Sequence, residues 1–79
     1  MIENFRNQLL IERKQIEKQL SPNSENFIKA ISFCKTIEIG INKLEDDTFR
    51  FTEERTLQIN TIKSYFRLLH QILNNENEK

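Results

Sequence analysis

Apolar residues recur every three or four positions along three stretches of this chain, the spacing of one face of an α-helix. The stretches predict helices over about residues 2–20, 23–45 and 53–73. The single proline and single glycine favour long uninterrupted elements over a turn-rich β fold. Because short connections make successive helices antiparallel neighbours, the pattern predicts an all-α, up-down-up three-helix bundle.

Each predicted helix has one apolar face when residues are projected at ~100° per position. The face is a seam of ~60° on helix 1, an arc of ~160° on helix 2 and an arc of ~200° on helix 3, which is wide enough to contact two neighbours. The faces consist of Ile2, Phe5, Leu9, Ile16 and Leu20; of Phe27, Ala30, Ile31, Phe33, Cys34, Ile37, Ile41 and Leu44; and of Leu57, Ile59, Ile62, Tyr65, Phe66, Leu68, Leu69, Ile72 and Leu73.

Residues 36–41 read T-I-E-I-G-I, an alternation that is typical of a β-strand. The helical period nevertheless continues from Phe27 to Leu44, and no other segment supplies a matching strand. We therefore predict helix here, with Gly40 costing about 1 kcal/mol relative to alanine. Gly40 lies at the edge of the apolar arc, where another backbone could approach closely.

The predicted helix ends depend on short polar segments. The second helix starts either with Ser21 as the cap and Pro22 at the first position, or with Ser24 as the cap. Thr52 is the predicted cap of the third helix. We expect one domain over residues 1–74 and a polar disordered tail over 75–79.

Composition narrows the expected class of protein. The chain has 79 residues with twelve basic and twelve acidic side chains, so it lacks the basic excess of a typical nucleic-acid binder. No apolar run approaches the ~20 residues that span a bilayer, no secretory signal is visible, and one cysteine allows no internal disulfide. We expect a cytoplasmic protein, and its wealth of Ile, Asn, Lys and Phe fits an AT-rich bacterial or phage genome.

The chain has few residues of the types that most often act as nucleophiles or metal ligands. Cys34 lies mid-helix in the apolar arc, so we interpret it as a core residue rather than a nucleophile. His70 is the single histidine, at the edge of an apolar face, and is expected at the surface or in packing. We predict that the protein is not an enzyme and has no metal, cofactor or small-molecule substrate.

Some side chains break the apolar pattern. Glu38 projects into the arc of helix 2, and Glu12 and Arg13 interrupt the seam of helix 1. We expect these polar side chains to lie at the solvent-exposed rim of the bundle. The alternative is a cross-helix ion pair of Glu38 with Arg13 or Arg67.

Three isoleucines, Ile11, Ile28 and Ile39, project away from the apolar faces. Scattered exposed apolar residues are normal in soluble proteins. The alternative is an interaction face, formed with Glu38, for a protein partner or a homodimer. On this basis the favoured function is a small helical protein-binding module.

Asn60, Lys63, Arg67 and Gln71 share one polar face of helix 3. Basic and amide side chains on one helix are typical of a helix that reads the major groove. A nucleic-acid-binding regulator is therefore the second hypothesis, ranked below a solvated face because the net charge is zero.

Residues 49–66, F-R-F-T-E-E-R-T-L-Q-I-N-T-I-K-S-Y-F, combine a phenylalanine, a Thr-Glu-Glu cap and an apolar helix with Ile-Lys before Leu-Leu. In these features the chain resembles the N-terminal helical region of RteC-type proteins, regulators carried by Bacteroides conjugative elements. It departs from the family pattern at residues 58–60 and at Ser64. The resemblance implies a helical regulatory or interaction module of a mobile element, without the DNA-binding winged helix that lies further C-terminal in that family.

Overall fold

The computed structural model describes residues 1–77, with side chains for residues 1–75. These residues form three α-helices: α1 over Ile2–Gln19, α2 over Glu25–Asp46 and α3 over Thr52–Asn77. Each helix packs against both others, with the largest interface between α2 and α3 and the smallest between α1 and α3. The predicted all-α three-helix bundle is confirmed.

The centres of the three predicted apolar faces meet in one core. Its buried members are Phe5, Leu9, Ile16 and Leu20 beside α2 residues Ala30, Cys34, Ile37, Ile41 and Leu44 and α3 residues Ile62, Phe66, Leu69 and Leu73. The edges of the arcs differ from the prediction, since Ile31, Leu57 and Leu68 are exposed. Each helix is covered by its two neighbours over only part of its circumference. Apolar residues at the edges of the widest arcs therefore stay exposed to solvent.

Helix α2 runs without interruption through residues 36–41, as predicted. Gly40 is buried against α3, and a Cβ atom there would lie 2.5 Å from Nε2 of Gln58 and 3.1 Å from Cγ1 of Ile62. The close approach differs from the expected one, because side chains of α3 rather than its backbone fill the space beside Gly40. Lacking a Cβ, the glycine lets α2 and α3 pack closely at this level.

The helix ends resolve the alternatives left by the sequence. Ser24 caps α2, because its hydroxyl accepts a hydrogen bond of 3.1 Å from the amide of Phe27. Asp47 ends α2 in the left-handed conformation, with φ of 50°, which aspartate adopts more readily than most residues. Thr52 is the first helical residue of α3 rather than its cap.

Helix α3 extends to Asn77, four residues beyond the predicted end at about Leu73. Residues 75–77 of the predicted tail are thus helical, and residues 78–79 lie outside the described part of the chain. Among the described residues, no helix is long and apolar enough to cross a membrane.

Candidate protein-interaction surface

Two ion pairs join α1 to α2 and define the register of this antiparallel pair. Arg13 donates through Nη2 to Oε2 of Glu38 at 2.5 Å, and Arg6 pairs with Glu45. Of the two partners expected for Glu38, the structure contains Arg13 and not Arg67. The Arg13 and Glu38 side chains are 43% and 46% exposed, so the pair lies at the rim of the bundle, where water screens it.

A third polar contact joins α1 to α3 and lies deeper in the bundle. The Glu12 side chain is only 7% exposed, and its Oε1 contacts Nε2 of His70. A buried carboxylate needs a hydrogen-bond donor, and His70 supplies one in the tautomer that carries its proton on Nε2. Apolar spacing does not predict this contact, although Glu12 projects within ~20° of Phe5, just outside one edge of the helix 1 seam.

Cys34 lies next to these polar groups yet belongs to the core, as predicted, with 1% of its surface exposed. Burial raises the pKa of the Cys34 thiol, and the negative charge of Glu12 acts in the same direction. The Arg13 guanidinium opposes this increase in pKa through its charge and a hydrogen bond, but burial has the larger effect. The thiol is therefore held in its protonated form, which is a poor nucleophile.

Exposed aliphatic side chains lie on the outer side of the α1–α2 pair, the side that faces away from α3. Ile28 and Ile39 of α2 are 64% and 51% exposed, and Leu10 of α1 is 56% exposed. We call this surface the α1–α2 face. It consists of Leu10, Ile28, Ile31 and Ile39 around the Arg13–Glu38 pair.

Helix geometry places these side chains on one side of the molecule. Ile28 and Ile39 project within ~20° of each other and lie ~16 Å apart along α2. The register set by the Arg13–Glu38 pair brings Leu10 to within about one turn of Ile39. On α1, Leu10 projects ~60° beyond Arg13, away from the core.

A groove of about 300 Å³ lies on this face, with Cys34 among its lining residues. Its walls carry two basic and two acidic side chains beside one isoleucine, so it favours neither anions nor cations as a whole. The lining residues are Arg13, Glu17, Ile31, Cys34, Lys35 and Glu38.

Ile11 does not join the α1–α2 face, although its sequence pattern groups it with Ile28 and Ile39. It is 58% exposed and projects ~100° from Leu10, on the flank of α1 that carries Gln8. Gln8 lines a groove together with α3 residues, so this flank faces the α3 side. The predicted set therefore divides between two sides of the bundle.

The predicted polar face of helix 3 is present and open to solvent. Asn60, Lys63, Arg67 and Gln71 are all exposed and project within ~80° of one another. Lys63 and Arg67 line a shallow groove with His70 between α1 and α3. The face carries two permanent cations, few for a duplex-binding helix.

Further exposed apolar side chains, not predicted from the sequence, lie on α3 and just before its start. Leu57, Leu68 and Phe51 are all exposed. Leu57 and Leu68 project within ~20° of each other. Their separation along the chain is the same as that of Ile28 and Ile39, which makes Leu57 a useful reference position for experiments.

The described side chains include no group of three or more His, Cys, Asp or Glu residues placed to hold a metal ion. The resemblance to RteC-type regulators stays a prediction. No protein-family model, curated protein or solved structure shows significant similarity to this chain.

Proposed function

We propose that this chain is a small, non-catalytic helical module that acts by docking its α1–α2 face on a protein surface. Such a module serves as a regulator, an inhibitor or a subunit. The observation that carries the proposal is the exposure of Leu10, Ile28, Ile31 and Ile39 on one side of the bundle. Burying aliphatic side chains is favourable by roughly 25 cal/mol per Å² of apolar surface, which supplies a driving force for association.

The polar groups on this face support recognition of a protein rather than a membrane or an ion. Arg13 and Glu38 neutralise each other at the centre, and Glu17 and Lys35 flank them. Exposed aliphatic side chains mixed with polar groups of both signs give this face the mixed composition of a non-obligate protein interface, which is about as apolar as the rest of a protein surface. The same mixture gives little attraction to a uniformly anionic surface.

Site-specific photo-crosslinking tests this proposal directly. A photoreactive side chain is placed at position 39 or at position 11, and each protein is expressed in the source cells. Ile11 and Ile39 have similar exposure, 58% and 51%, but lie on different sides of the bundle. We expect a discrete adduct from position 39 and none of comparable yield from position 11.

The variant Ile39→Asp serves as the loss-of-binding control, with the photoreactive side chain placed at a neighbouring position such as Lys35. It should abolish the adduct, whereas Ile11→Asp should leave it intact. Equal labelling from positions 11 and 39, or an adduct that Ile39→Asp does not reduce, would show that the α1–α2 face is not the docking surface.

A nucleic-acid-binding regulator is the second candidate, favoured by one observation. Asn60, Lys63, Arg67 and Gln71 form a continuous exposed face on α3. A gel-shift titration with duplex DNA at low and moderate salt tests it, because phosphate contacts weaken steeply with salt. Binding that is lost in Lys63→Gln and Arg67→Gln but kept in Ile39→Asp would favour this second function.

The resemblance to RteC-type regulators supports a regulatory role for a helical module of a mobile element or phage in bacteria. It concerns the segment from Phe49 to Phe66, which includes the start of α3. A cytoplasmic setting fits the proposal, since a chain with one free cysteine is typical of a reducing compartment.

A further inference from the structure

We infer that the α1–α2 face binds a second copy of this chain, with the two α2 helices antiparallel about a two-fold axis that passes between Ser32 and Lys35. This inference rests on the proposed function and names the partner. It is carried by the spacing of exposed residues on α2, by the charges beside them and by the position of Leu10 on α1.

A stripe of exposed residues runs along α2 and consists of Ile28, Ser32, Lys35 and Ile39. Their spacing of four, three and four residues is that of the inward positions in a two-helix seam. When two such stripes run antiparallel about their midpoint, Ile28 meets Ile39 of the partner subunit, and Ser32 meets Lys35 of the partner subunit. Apolar residues thus meet apolar residues at both ends, and the lysines do not oppose each other.

Complementary charges lie along the flank of this stripe that faces away from α1. Glu25 and Lys43 are exposed and share one projected direction on α2. Neither forms an ion pair with a described residue of its own chain. The same two-fold axis brings Glu25 opposite Lys43 of the partner subunit, and Lys43 opposite Glu25 of the partner subunit, so both pairs are attractive.

Helix α1 lies on the other flank of the stripe and contributes Leu10 to the same surface. The Arg13–Glu38 pair brings Leu10 near the level of Ile39. In the antiparallel arrangement, Ile28 of the partner subunit therefore sits between Leu10 and Ile39. An isologous interface repeats this contact twice, as self-complementary surfaces require.

The interface uses few side chains, so the dimer should be weak. Interfaces below ~1,200 Å² are typical of transient complexes, and we expect a dissociation constant on the order of 10–100 µM. Sedimentation equilibrium from about 5 to about 500 µM protein covers this range. We expect a monomer–dimer equilibrium for the unaltered chain, and a monomer across the whole range overturns the inference.

Matched variants locate the interface. Ile28→Asp and Ile39→Asp should each weaken association at least about tenfold, whereas Ile11→Asp and Leu57→Asp should not. All four positions are exposed, so circular dichroism and thermal melting should show an unchanged fold. A dimer that Leu57→Asp disrupts and Ile39→Asp leaves intact would place the interface on α3 and overturn the inference.

A charge swap tests the antiparallel register. Glu25→Lys and Lys43→Glu should each weaken the dimer, and the double variant should recover it, because both attractive pairs are restored with reversed sign. Oxidation of a mixture of Ile28→Cys and Ile39→Cys chains should give mainly mixed disulfides. Predominant Ile28→Cys or Ile39→Cys homodimers would indicate a parallel pairing and contradict the proposed axis.

The two proposals can fail separately. A monomeric chain that still gives an adduct with another protein from position 39 overturns self-association and leaves the docking function standing. A dimer whose position 39 crosslinks only to a second copy supports self-association and restricts the docking function to this one partner.

Discussion

The carboxylate of Glu12 on α1 contacts the imidazole of His70 on α3, across the smallest of the three helix interfaces. The glutamate side chain is 7% exposed and the histidine side chain 52% exposed. The histidine thus reaches inward from the surface to satisfy a buried acceptor. This contact links the two helices that are not connected directly in sequence.

Removing the histidine should destabilise the bundle. His70→Ala leaves the Glu12 carboxylate buried without this donor, and we expect the free energy of unfolding to fall by ~1–3 kcal/mol. Urea denaturation followed by circular dichroism measures the change. The nearby exposed change Gln71→Ala serves as the control and should stay within about 0.5 kcal/mol of the unaltered chain.

A double replacement separates the unsatisfied carboxylate from a simple loss of packing. Glu12→Leu with His70→Leu removes both polar partners, so no buried charge remains. The double variant should be more stable than His70→Ala. If it is equally destabilised, the unsatisfied carboxylate is not the cause of the His70→Ala effect.

The Arg13–Glu38 pair should contribute much less to the free energy of unfolding than the Glu12–His70 contact does, because both of its side chains are nearly half-exposed. Glu38→Gln should lower the free energy of unfolding by only ~0.2–1 kcal/mol at neutral pH. The difference should shrink at about 1 M salt, where charges are screened within ~3 Å. Glu17→Gln is the matched control, and a loss above about 2 kcal/mol for Glu38→Gln would mean that the pair is effectively buried.

The buried thiol predicts a pH dependence of stability. Because burial raises the pKa of Cys34 in the folded chain, the unfolded chain loses this proton at lower pH than the folded chain. The protonated thiol therefore makes its full contribution to the free energy of unfolding below the free-thiol pKa of ~8.5. This contribution decreases as the pH rises through the pKa of Cys34 in the folded chain.

Urea denaturation of the unaltered chain and of Cys34→Ala, at pH values from about 7 to 10, measures this contribution. The stability advantage of cysteine over alanine should decrease above pH ~8.5, while other titrating groups cancel in the comparison. A stability difference between the unaltered chain and Cys34→Ala that stays constant across this pH range would contradict a raised pKa of Cys34 in the folded chain. Alkylation of Cys34 should also be slow in the native chain and fast in urea.

Gly40 should not tolerate a larger residue. Alanine gains about 1 kcal/mol of helix propensity, but its Cβ would lie 3.1 Å from Cγ1 of the buried Ile62. The side-chain amide of Gln58 can rotate away, whereas Ile62 is held on all sides by the core. We therefore expect Gly40→Ala to lower the free energy of unfolding by about 1 kcal/mol overall.

Thr56→Ala, at an exposed position inside α3, reports the propensity gain alone and should be neutral or slightly stabilising. If Gly40→Ala stabilises the chain as much as Thr56→Ala does, the core accommodates the methyl group without strain. That result would argue against a packing role for the glycine.

The sequence by itself determined the number, order and approximate limits of the helices and the centre of each apolar face. Helical periodicity is a local property, since residues three and four positions apart share a face whatever the rest of the chain does. The same periodicity correctly predicts that Cys34 lies in the core and that residues 36–41 are helical despite their strand-like alternation.

Only the tertiary structure decided which residues meet across helices. Glu12 and His70 are 58 positions apart in sequence, and Glu38 had two possible arginine partners. The choice depends on the rotation and register of each helix, which the packing of all three helices sets together. For the same reason, spacing along α1 could not separate Ile11 from the α1–α2 face or show that Leu57 and Leu68 stay outside the core.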